Sequence, residues 1–463
     1  MGLATIRIWN EDECRRVHDA TLRVLDECGV EVKYGPALER FAKLGARVEG
    51  TRVRLDRRQV DEALASAPRS CTVTSRGRDE TLVLEDGRVY FGTGSDCLYI
   101  ADPDTGERRR GRITDVEELS ALCEALPHID FVMSMVSPAD VRPEDEAIRQ
   151  HVAMLRGTRK PLLVVPRDGY QLVQMKEMAE VCGGGDSLIV YAMPSPPLMH
   201  DEFALTKVIE CARLDIPLVY APAPCAVTTA PASVAAVAVV GNAEVLSGLV
   251  LHQAVRPGAA FVYGTGSDTL DMRTMINPYV SPEWALGGQA GCDLAHFYGL
   301  PSFSYAGFSD SKCLDEQWAA ETALTTVVGA LSRSTLLHDV GYLESGLQTS
   351  YEAVVLGDEL VGFAKHHLRE LRTDDEALAV DEIVAAGPGG NHLGTTYTRR
   401  HYREFWQASL LDTAAHDRWQ AGGSRTLGER VRERVTELRA ADRAPVLDET
   451  MAAQLDALLA DAV

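Results

Sequence analysis

Residues 301–346 have the sequence PSFSYAGFSDSKCLDEQWAAETALTTVVGALSRSTLLHDVGYLESG, and this stretch decides the expected fold. Its apolar and polar runs predict a strand over 301–308, a helix over 315–331 and a second strand near Leu336. Each predicted strand ends in polar or ionisable residues. This arrangement is typical of the C-terminal face of a (β/α) barrel, where the loops after parallel strands carry the active site.

The alternation of strand and helix extends through most of the chain. Apolar runs that predict strands occur at 131–136, 161–165, 188–193, 217–221, 260–263, 302–308 and 335–338. Most connecting segments are long enough for a helix, a pattern that indicates a parallel sheet covered on both faces. These seven predicted strands favour a barrel over an open sheet. The eighth is either the RVYFGT segment at 88–93 or a segment after Leu356.

Changes in this pattern divide the chain into three predicted regions. Residues 1–113 combine helical spacing with strand alternation around an Asp86-Gly87 turn, which predicts a helix and β-hairpin region packed on the barrel. Residues 114–386 are the expected catalytic core, a TIM (β/α)8 barrel of the α/β fold class. Residues 387–463 begin with a glycine-rich turn and are expected to form a loop and a helical extension.

Composition and charge exclude some classes of partner. The net charge of −22 argues against a nucleic-acid partner, which would need a basic face. The ten cysteines include no C-x-x-C pair, and the N-terminus lacks a signal-peptide pattern, so a cytoplasmic location is expected. The apolar run 230–255 is interrupted by Asn242, Glu244 and His252, which predicts a buried helix and no membrane span.

Aromatic residues lie near the predicted strand ends. They are Tyr99, Tyr191, Tyr220, Tyr263, Tyr305, Phe308 and Tyr342. Aromatic faces with few charges can hold a quaternary ammonium group by cation–π attraction. The alternative is that most of these rings only pack within the barrel or against its helices.

The common catalytic motifs do not fit this sequence. The glycine-containing segments at 264–266 and 387–390 match neither G-x-G-x-x-G nor a P-loop. The histidines are not at H-E-x-x-H spacing, so no metal site is predicted, and no G-x-S-x-G elbow is present.

A set of segments in a fixed order identifies a family. They are DPDTGERRRGRITDVEEL (102–119), MPSPPL (193–198), NAEVLSGLVLHQAVRPGAAFVYG (242–264), DMRT (271–274), SDSKCLDEQ (309–317), GYLESG (341–346), GPGGNHL (387–393) and HYREFW (401–406). With these segments the chain resembles the trimethylamine methyltransferase family. The resemblance implies a TIM barrel and a corrinoid-protein partner whose cobalt(I) accepts a methyl group. It also implies that this chain binds no cofactor tightly and forms a homo-oligomer.

The resemblance also indicates the methyl donor. The trimethylamine enzymes of methanogens carry pyrrolysine in the barrel, whereas this chain has ordinary residues through that region. It therefore resembles the non-pyrrolysine branch, whose members act on quaternary amines such as glycine betaine and related betaines. A quaternary ammonium is already cationic and leaves as a neutral tertiary amine, so in-line attack needs positioning more than acid–base help.

Specific residues are predicted to form the site. The expected catalytic residues are His338, Asp310, Lys312 and Glu344, and the expected substrate-binding residues are Tyr99, Tyr263, Arg273, Tyr305, Phe308 and Tyr342. His338 is expected to donate a hydrogen bond to a substrate carboxylate, with Arg273 and Lys312 as further partners for that carboxylate. Asp310 and Glu344 are expected to orient Lys312 and His338 or to offset charge in the pocket. Alternatively, Lys312, Asp310 and Asp315 only form a salt-bridged loop.

Two other functions fit the sequence. One is a non-catalytic homologue that binds a small cation. The other is a barrel lyase or decarboxylase unrelated to cobalamin, which would need an acid–base pair with perturbed pKa values in the pocket.

Overall fold

The computed structural model describes residues 4–463. The strands are β1 (Val30–Val32), β2 (Arg47–Glu49), β3 (Arg52–Arg54), β4 (Ser70–Thr74), β5 (Thr81–Glu85), β6 (Tyr90–Thr93), β7 (Tyr99–Ala101), β8 (Arg108–Arg110), β9 (Leu162–Val164), β10 (Leu188–Ala192), β11 (Met199–His200), β12 (Leu218–Tyr220), β13 (Cys225–Ala226), β14 (Phe261–Gly264), β15 (Asp268–Thr269), β16 (Ser302–Tyr305), β17 (Leu336–Val340), β18 (Tyr342–Leu343) and β19 (Gln348–Thr349).

The helices follow the strands in alternation through the middle of the chain. They are α1 (Glu11–Arg23), α2 (Gly35–Lys43), α3 (Arg57–Ser66), α4 (Ile113–Glu124), α5 (Glu146–Gly157), α6 (Gly169–Val181), α7 (Glu202–Leu214), α8 (Val234–Val255), α9 (Pro282–Tyr298), α10 (Glu316–Ser332), α11 (Tyr351–His367), α12 (Asp375–Leu378), α13 (Val380–Ala386), α14 (Thr396–His401), α15 (His416–Ala421), α16 (Leu427–Ala440) and α17 (Glu449–Ala462). Short π-helical and 3-10 turns occur at Val24–Cys28, Glu344–Gly346 and Tyr402–Glu404.

The centre of the fold is a curled parallel sheet. Within residues 4–463, seven strands pair in the order β6-β17-β16-β14-β12-β10-β9. All of these pairings are parallel, which confirms the predicted α/β class. The predicted strand 131–136 forms single parallel bridges with both edge strands, Gly92 to Phe131 and Val132 to Leu162.

The sheet is buried on both faces because successive side chains of a strand point in opposite directions. Leu163, Ile189 and Phe303 face an inner core, which also includes Val73 and Leu84 of the β4–β5 hairpin. The intervening residues of the same strands pack in a separate core with the surrounding helices. The continuous apolar runs in the sequence follow from this double burial.

The prediction of a hairpin around Asp86-Gly87 is wrong in its pairing. β5 pairs antiparallel with β4, the strand before it, and the Asp86-Gly87 turn leads to β6. β6 instead pairs in parallel with β17, and this pairing buries Phe91, Gly92 and Thr93 in the central sheet. The RVYFGT segment, one of the two candidates for the eighth strand, is therefore a strand of the central sheet.

Helix α8 is long and apolar enough to cross a membrane by length and composition alone. However, 67% of its most apolar window is buried inside the chain. It packs against α1, α3, α7 and α9. Its polar residues Asn242, Glu244 and His252 are also buried, in agreement with the buried helix predicted from the sequence.

Glu244 is a buried carboxyl group on α8. The backbone N–H of Leu198 donates to its Oε1 at 2.6 Å, whereas Oε2 has no hydrogen-bond partner among the described residues. Burial raises the pKa of Glu244 from its ordinary value of 4.5 to about 8. The folded protein therefore holds a proton at this carboxyl over a pH range in which the unfolded chain has released it.

Replacing Glu244 with glutamine is expected to flatten the dependence of stability on pH. Because the folded state binds the additional proton, the free energy of unfolding of the unaltered protein falls as pH rises from about 4.5 to about 8. The fall is at most about 1.4 kcal/mol per pH unit. Glutamine does not titrate and keeps an oxygen for the Leu198 N–H. Urea unfolding of both proteins across this range measures the effect, and parallel curves would contradict it.

Candidate active site

The end of β17 carries an irregularity that turns two adjacent side chains toward the inner face of the sheet. Its register with β6 shifts between Leu337 and Val340, and Asp339 has a φ of 77°. Leu337 and Val340 both pack in the outer core, although regular alternation would place them on opposite faces. The extra residue is a β-bulge, a feature that redirects side chains at functional sites. It directs both His338 and Asp339 inward.

His338 and Asp339 are in close contact. The His338 ring stacks on Phe303 of the inner core, with a centroid distance of 4.2 Å. Its Nδ1 lies 2.5 Å from Oδ1 of Asp339, but the two atoms are not in hydrogen-bond geometry. Neither atom has a hydrogen-bond partner within residues 4–463.

Five aromatic rings gather beside this pair and are called the aromatic cluster. They are Tyr279, Trp284, Tyr305, Phe308 and Tyr342. Trp284 is central: its ring lies 3.4 Å from that of Tyr305 and 5.0 Å from that of Tyr279, both stacked. Phe308 meets it edge-on at 4.7 Å. The cluster combines loop and helix residues after β14 with residues after β16 and β17.

Carboxyl groups border the aromatic cluster. Trp284 Nε1 donates to Oδ1 of Asp268 at 3.1 Å, and burial raises the pKa of Asp268. Burial also raises the pKa of Tyr279 and Tyr342, and the charge of Asp339 raises both further. Asp339 and Asp268 therefore act electrostatically on the rings.

Asp96 lies on the same side. Burial raises its pKa, while its side chain remains accessible to solvent. Its charge also raises the pKa of Tyr191 and Tyr342, after burial and the charge of Asp339. Asp96 is therefore a third carboxyl group that acts electrostatically on these rings.

The structure brings several of the predicted residues together. Tyr305, Phe308 and Tyr342 belong to the aromatic cluster, and His338 lies beside them. Asp310 acts through the backbone, since its carboxylate accepts hydrogen bonds from the N–H groups of Tyr279 at 3.1 Å and Val280 at 2.9 Å. It fixes the segment that carries Tyr279 and does not orient Lys312 through its carboxylate.

Two predicted aromatics lie outside the cluster. Tyr263 is buried on the outer face of β14, where its hydroxyl donates to Asn242 at 3.0 Å. Tyr99 lies on β7, covered by the guanidinium of Arg108 at 3.3 Å from the ring centre. The same Arg108 pairs with Glu344 at 2.8 Å, so Glu344 is engaged here and not with His338.

Two cationic side chains that were predicted to bind substrate also lie outside the aromatic cluster. The Arg273 side chain is 89% exposed and pairs with Asp271 at 3.0 Å within its own turn. Lys312 is exposed and donates to the backbone carbonyl of Asp310 at 2.7 Å. Each side chain bonds to a group two residues away in its own loop, so neither faces the aromatic cluster.

Comparison with known proteins identifies the family. The family model described as trimethylamine methyltransferase (MTTB) matches residues 1–461. The chain belongs to the trimethylamine methyltransferase family. This confirms the predicted resemblance and, with it, the prediction of a methyltransferase.

Named relatives of the family cover nearly the whole chain. A glycine betaine methyltransferase of Desulfitobacterium hafniense strain Y51 is 32% identical over 99% of this chain and 97% of its own length. A trimethylamine methyltransferase, MttB, from D. hafniense strain DSM 10664 / DCB-2 is 29% identical over 92% of this chain and 88% of its own. The crystal structure of the Methanosarcina barkeri monomethylamine methyltransferase MtmB covers 94% of this chain and 89% of its own, with a TM-score of 0.54 and 12% identity, which shows a shared fold.

Sequence reasoning missed part of the site in this family member. Tyr279 and Trp284 lie in the long loop after β15 and in the first turn of α9, where no strand end signals them. Asp96 follows β6, a candidate strand of the barrel, but the polar residues after that strand were not predicted to belong to the site. Asp339 directly follows His338 in the sequence, and a pair of ionisable residues at a strand end was a usable signal.

A cavity of about 270 Å³ lies on the helix side of the aromatic cluster. Tyr279, Trp284, Tyr305 and Phe308 line it together with small and aliphatic residues of α9 and α10. The described residues in its lining include no charged side chain. A cation is therefore favoured on the other side of the cluster, where the carboxyl groups are.

Proposed function

We propose that this member of the trimethylamine methyltransferase family moves a methyl group from a quaternary amine to cobalt(I) of a separate corrinoid protein. The aromatic cluster beside His338 and Asp339 carries the proposal. Aromatic faces attract a methylated ammonium by cation–π interaction and need no hydrogen bond from it. Family membership supports methyl transfer as the reaction that follows binding.

The reaction needs positioning more than proton transfer. The partner's cobalt(I) supplies the electron pair for the new bond to carbon, and the C–N bond breaks with its pair staying on the neutral tertiary amine. The chain's own rings would hold the N-methyl groups in line for this displacement. The rings stabilise the bound cation by cation–π attraction, which needs no hydrogen-bonded ion pair.

The predicted TIM barrel remains part of this proposal. The single bridges from Phe131 to Gly92 and from Val132 to Leu162 support 131–136 as a strand between β6 and β9, which would close the curled sheet with eight strands. In that arrangement the site would lie at the C-terminal face, where barrel enzymes carry their active sites.

The proposal also covers the methyl donor, the corrinoid, the cellular location and the oligomeric state. Glycine betaine and related betaines are the donors expected from the family resemblance. The corrinoid would belong to the partner protein, with no cofactor held tightly by this chain, in a cytoplasmic homo-oligomer. A nucleic acid and a membrane are not proposed as partners.

The proposed function is tested by anaerobic assay of the purified chain with a reduced corrinoid protein. A quaternary amine should cause loss of the cobalt(I) absorbance at a rate proportional to the concentration of this chain. The control replaces the chain with heat-denatured protein. If quaternary amines bind but the absorbance persists with every candidate corrinoid protein, the non-catalytic cation-binding function replaces the proposal.

A further inference from the structure

We propose that the methyl donor is an N-methylated ammonium ion without a carboxylate, of the class to which choline and tetramethylammonium belong. This inference rests on the proposed function, because it names the substrate class of the same site. It departs from the betaines, which carry a carboxylate close to the methylated nitrogen.

The first reason is the sign of the charges around the aromatic cluster. Asp268 accepts a hydrogen bond from Trp284 inside the cluster, and the bulge in β17 turns Asp339 toward it. Asp96 lies on the same side and is accessible to solvent. Two unit charges separated by several ångströms in a partly buried site interact strongly, so these carboxylates attract a cation and repel an anionic group.

The second reason is that Asp339 needs a positive partner. The residue is only 3% exposed, and its Oδ1 has no hydrogen-bond partner in the part of the chain that the structure describes. A buried carboxylate without compensation is costly. The imidazole of His338 lies 2.5 Å from this oxygen without forming a hydrogen bond to it. An ammonium ion held over the rings would supply the remaining compensation.

The third reason concerns the cations that a betaine carboxylate would need. Of the three expected partners, Arg273 pairs with Asp271 and Lys312 bonds to its own loop. Only His338 lies beside the rings, and its Nδ1 is 2.5 Å from Oδ1 of Asp339. A buried lysine, Lys207, does act on this region, and its charge opposes the rise in the pKa of Asp96. It offsets one carboxylate and leaves Asp268 and Asp339 facing the rings.

Isothermal titration calorimetry on the full chain tests the inference without a corrinoid protein. Choline and glycine betaine share a trimethylammonium group and differ in the hydroxymethyl or carboxylate end. The dissociation constants of choline and tetramethylammonium should be at least about tenfold lower than that of glycine betaine. Glycine betaine binding as tightly as choline, or more tightly, would overturn the inference.

The variant Asp339→Asn assigns the effect to one carboxylate. It should weaken choline binding at least about tenfold and leave glycine betaine binding unchanged or improved, while Asp375→Asn on exposed α12 should change neither. In the methyl-transfer assay its KM for choline should rise, since the variant lacks the negative charge that attracts the substrate cation. Asp268→Asn provides a second variant if Asp339→Asn does not fold. Equal weakening of both ligands by the folded variants would overturn the inference.

The two proposals fail in different ways. Absence of methyl transfer with selective choline binding contradicts the proposed function and leaves the substrate class standing. Methyl transfer from glycine betaine at a higher kcat/KM than from choline contradicts the substrate class and leaves the methyltransferase function standing.

Discussion

Replacing Trp284 with alanine is expected to destabilise the protein by about 3–5 kcal/mol and to lower kcat/KM for the methyl donor at least about a hundredfold. Trp284 is buried, stacks on Tyr305 and Tyr279, and meets Phe308 edge-on. Removing the indole takes away the contacts that order the other rings and the N–H that holds Asp268. Urea unfolding and the corrinoid methylation assay measure the two effects.

The variant Trp284→Phe separates the aromatic contact from the indole N–H. Phenylalanine retains an aromatic face but leaves Asp268 without its donor at 3.1 Å. Its stability should fall by only about 1–2 kcal/mol, with an intermediate loss of kcat/KM. If Trp284→Ala retained full affinity for quaternary amines, the aromatic cluster would not be the binding site.

Replacing Gly266 with alanine is expected to cost about 3 kcal/mol or more in the free energy of unfolding. A Cβ at this position would lie 1.6 Å from the carbonyl oxygen of Pro222. That atom belongs to the backbone and has no rotamer by which to move away. The loop after β14 must therefore shift, and it carries Asp268 two residues later. Chemical denaturation and amine binding should both detect the change.

Gly428→Ala is the matched control for this prediction. Gly428 lies in the first turn of α16, and an added Cβ would have only the end of the flexible Arg432 side chain, at 3.9 Å, among the described residues beyond its chain neighbours and its own helix backbone. Alanine also has the higher helix propensity, so this variant should be as stable as the original protein or slightly more stable. Equal stability of the Gly266→Ala and Gly428→Ala variants would show that the loop adapts without cost.

The positions of the strands and helices near the site were predicted from the sequence more accurately than the pairing of the strands. β16, α10 and β17 lie where residues 301–346 place them, because continuous apolar runs and turn residues are local signals. The Asp86-Gly87 turn was assigned to a hairpin because the same residues serve either kind of connection. Whether β6 pairs with β5 or with β17 depends on contacts remote in the sequence.

Some of the predicted site residues reach the aromatic cluster and others do not. Tyr305 and Tyr342 were predicted because they lie at or next to strand ends, which meet at one edge of a parallel sheet. Tyr263 has a similar position but faces the helices, since a shift of one residue along a strand reverses the side-chain direction. Arg273 and Lys312 have the chemistry of carboxylate partners, but each is held by a nearer group in its own loop.

By itself the sequence determined the α/β class, most strands of the sheet and the family, because apolar periodicity and ordered motifs are properties of the linear chain. Only the tertiary structure decided which rings surround Trp284 and which carboxyl groups face them. Those contacts join segments separated by tens to hundreds of residues, and the bulge that turns Asp339 inward is set by the pairing of β17 with β6. The charge around the methyl donor is therefore a property of the folded chain.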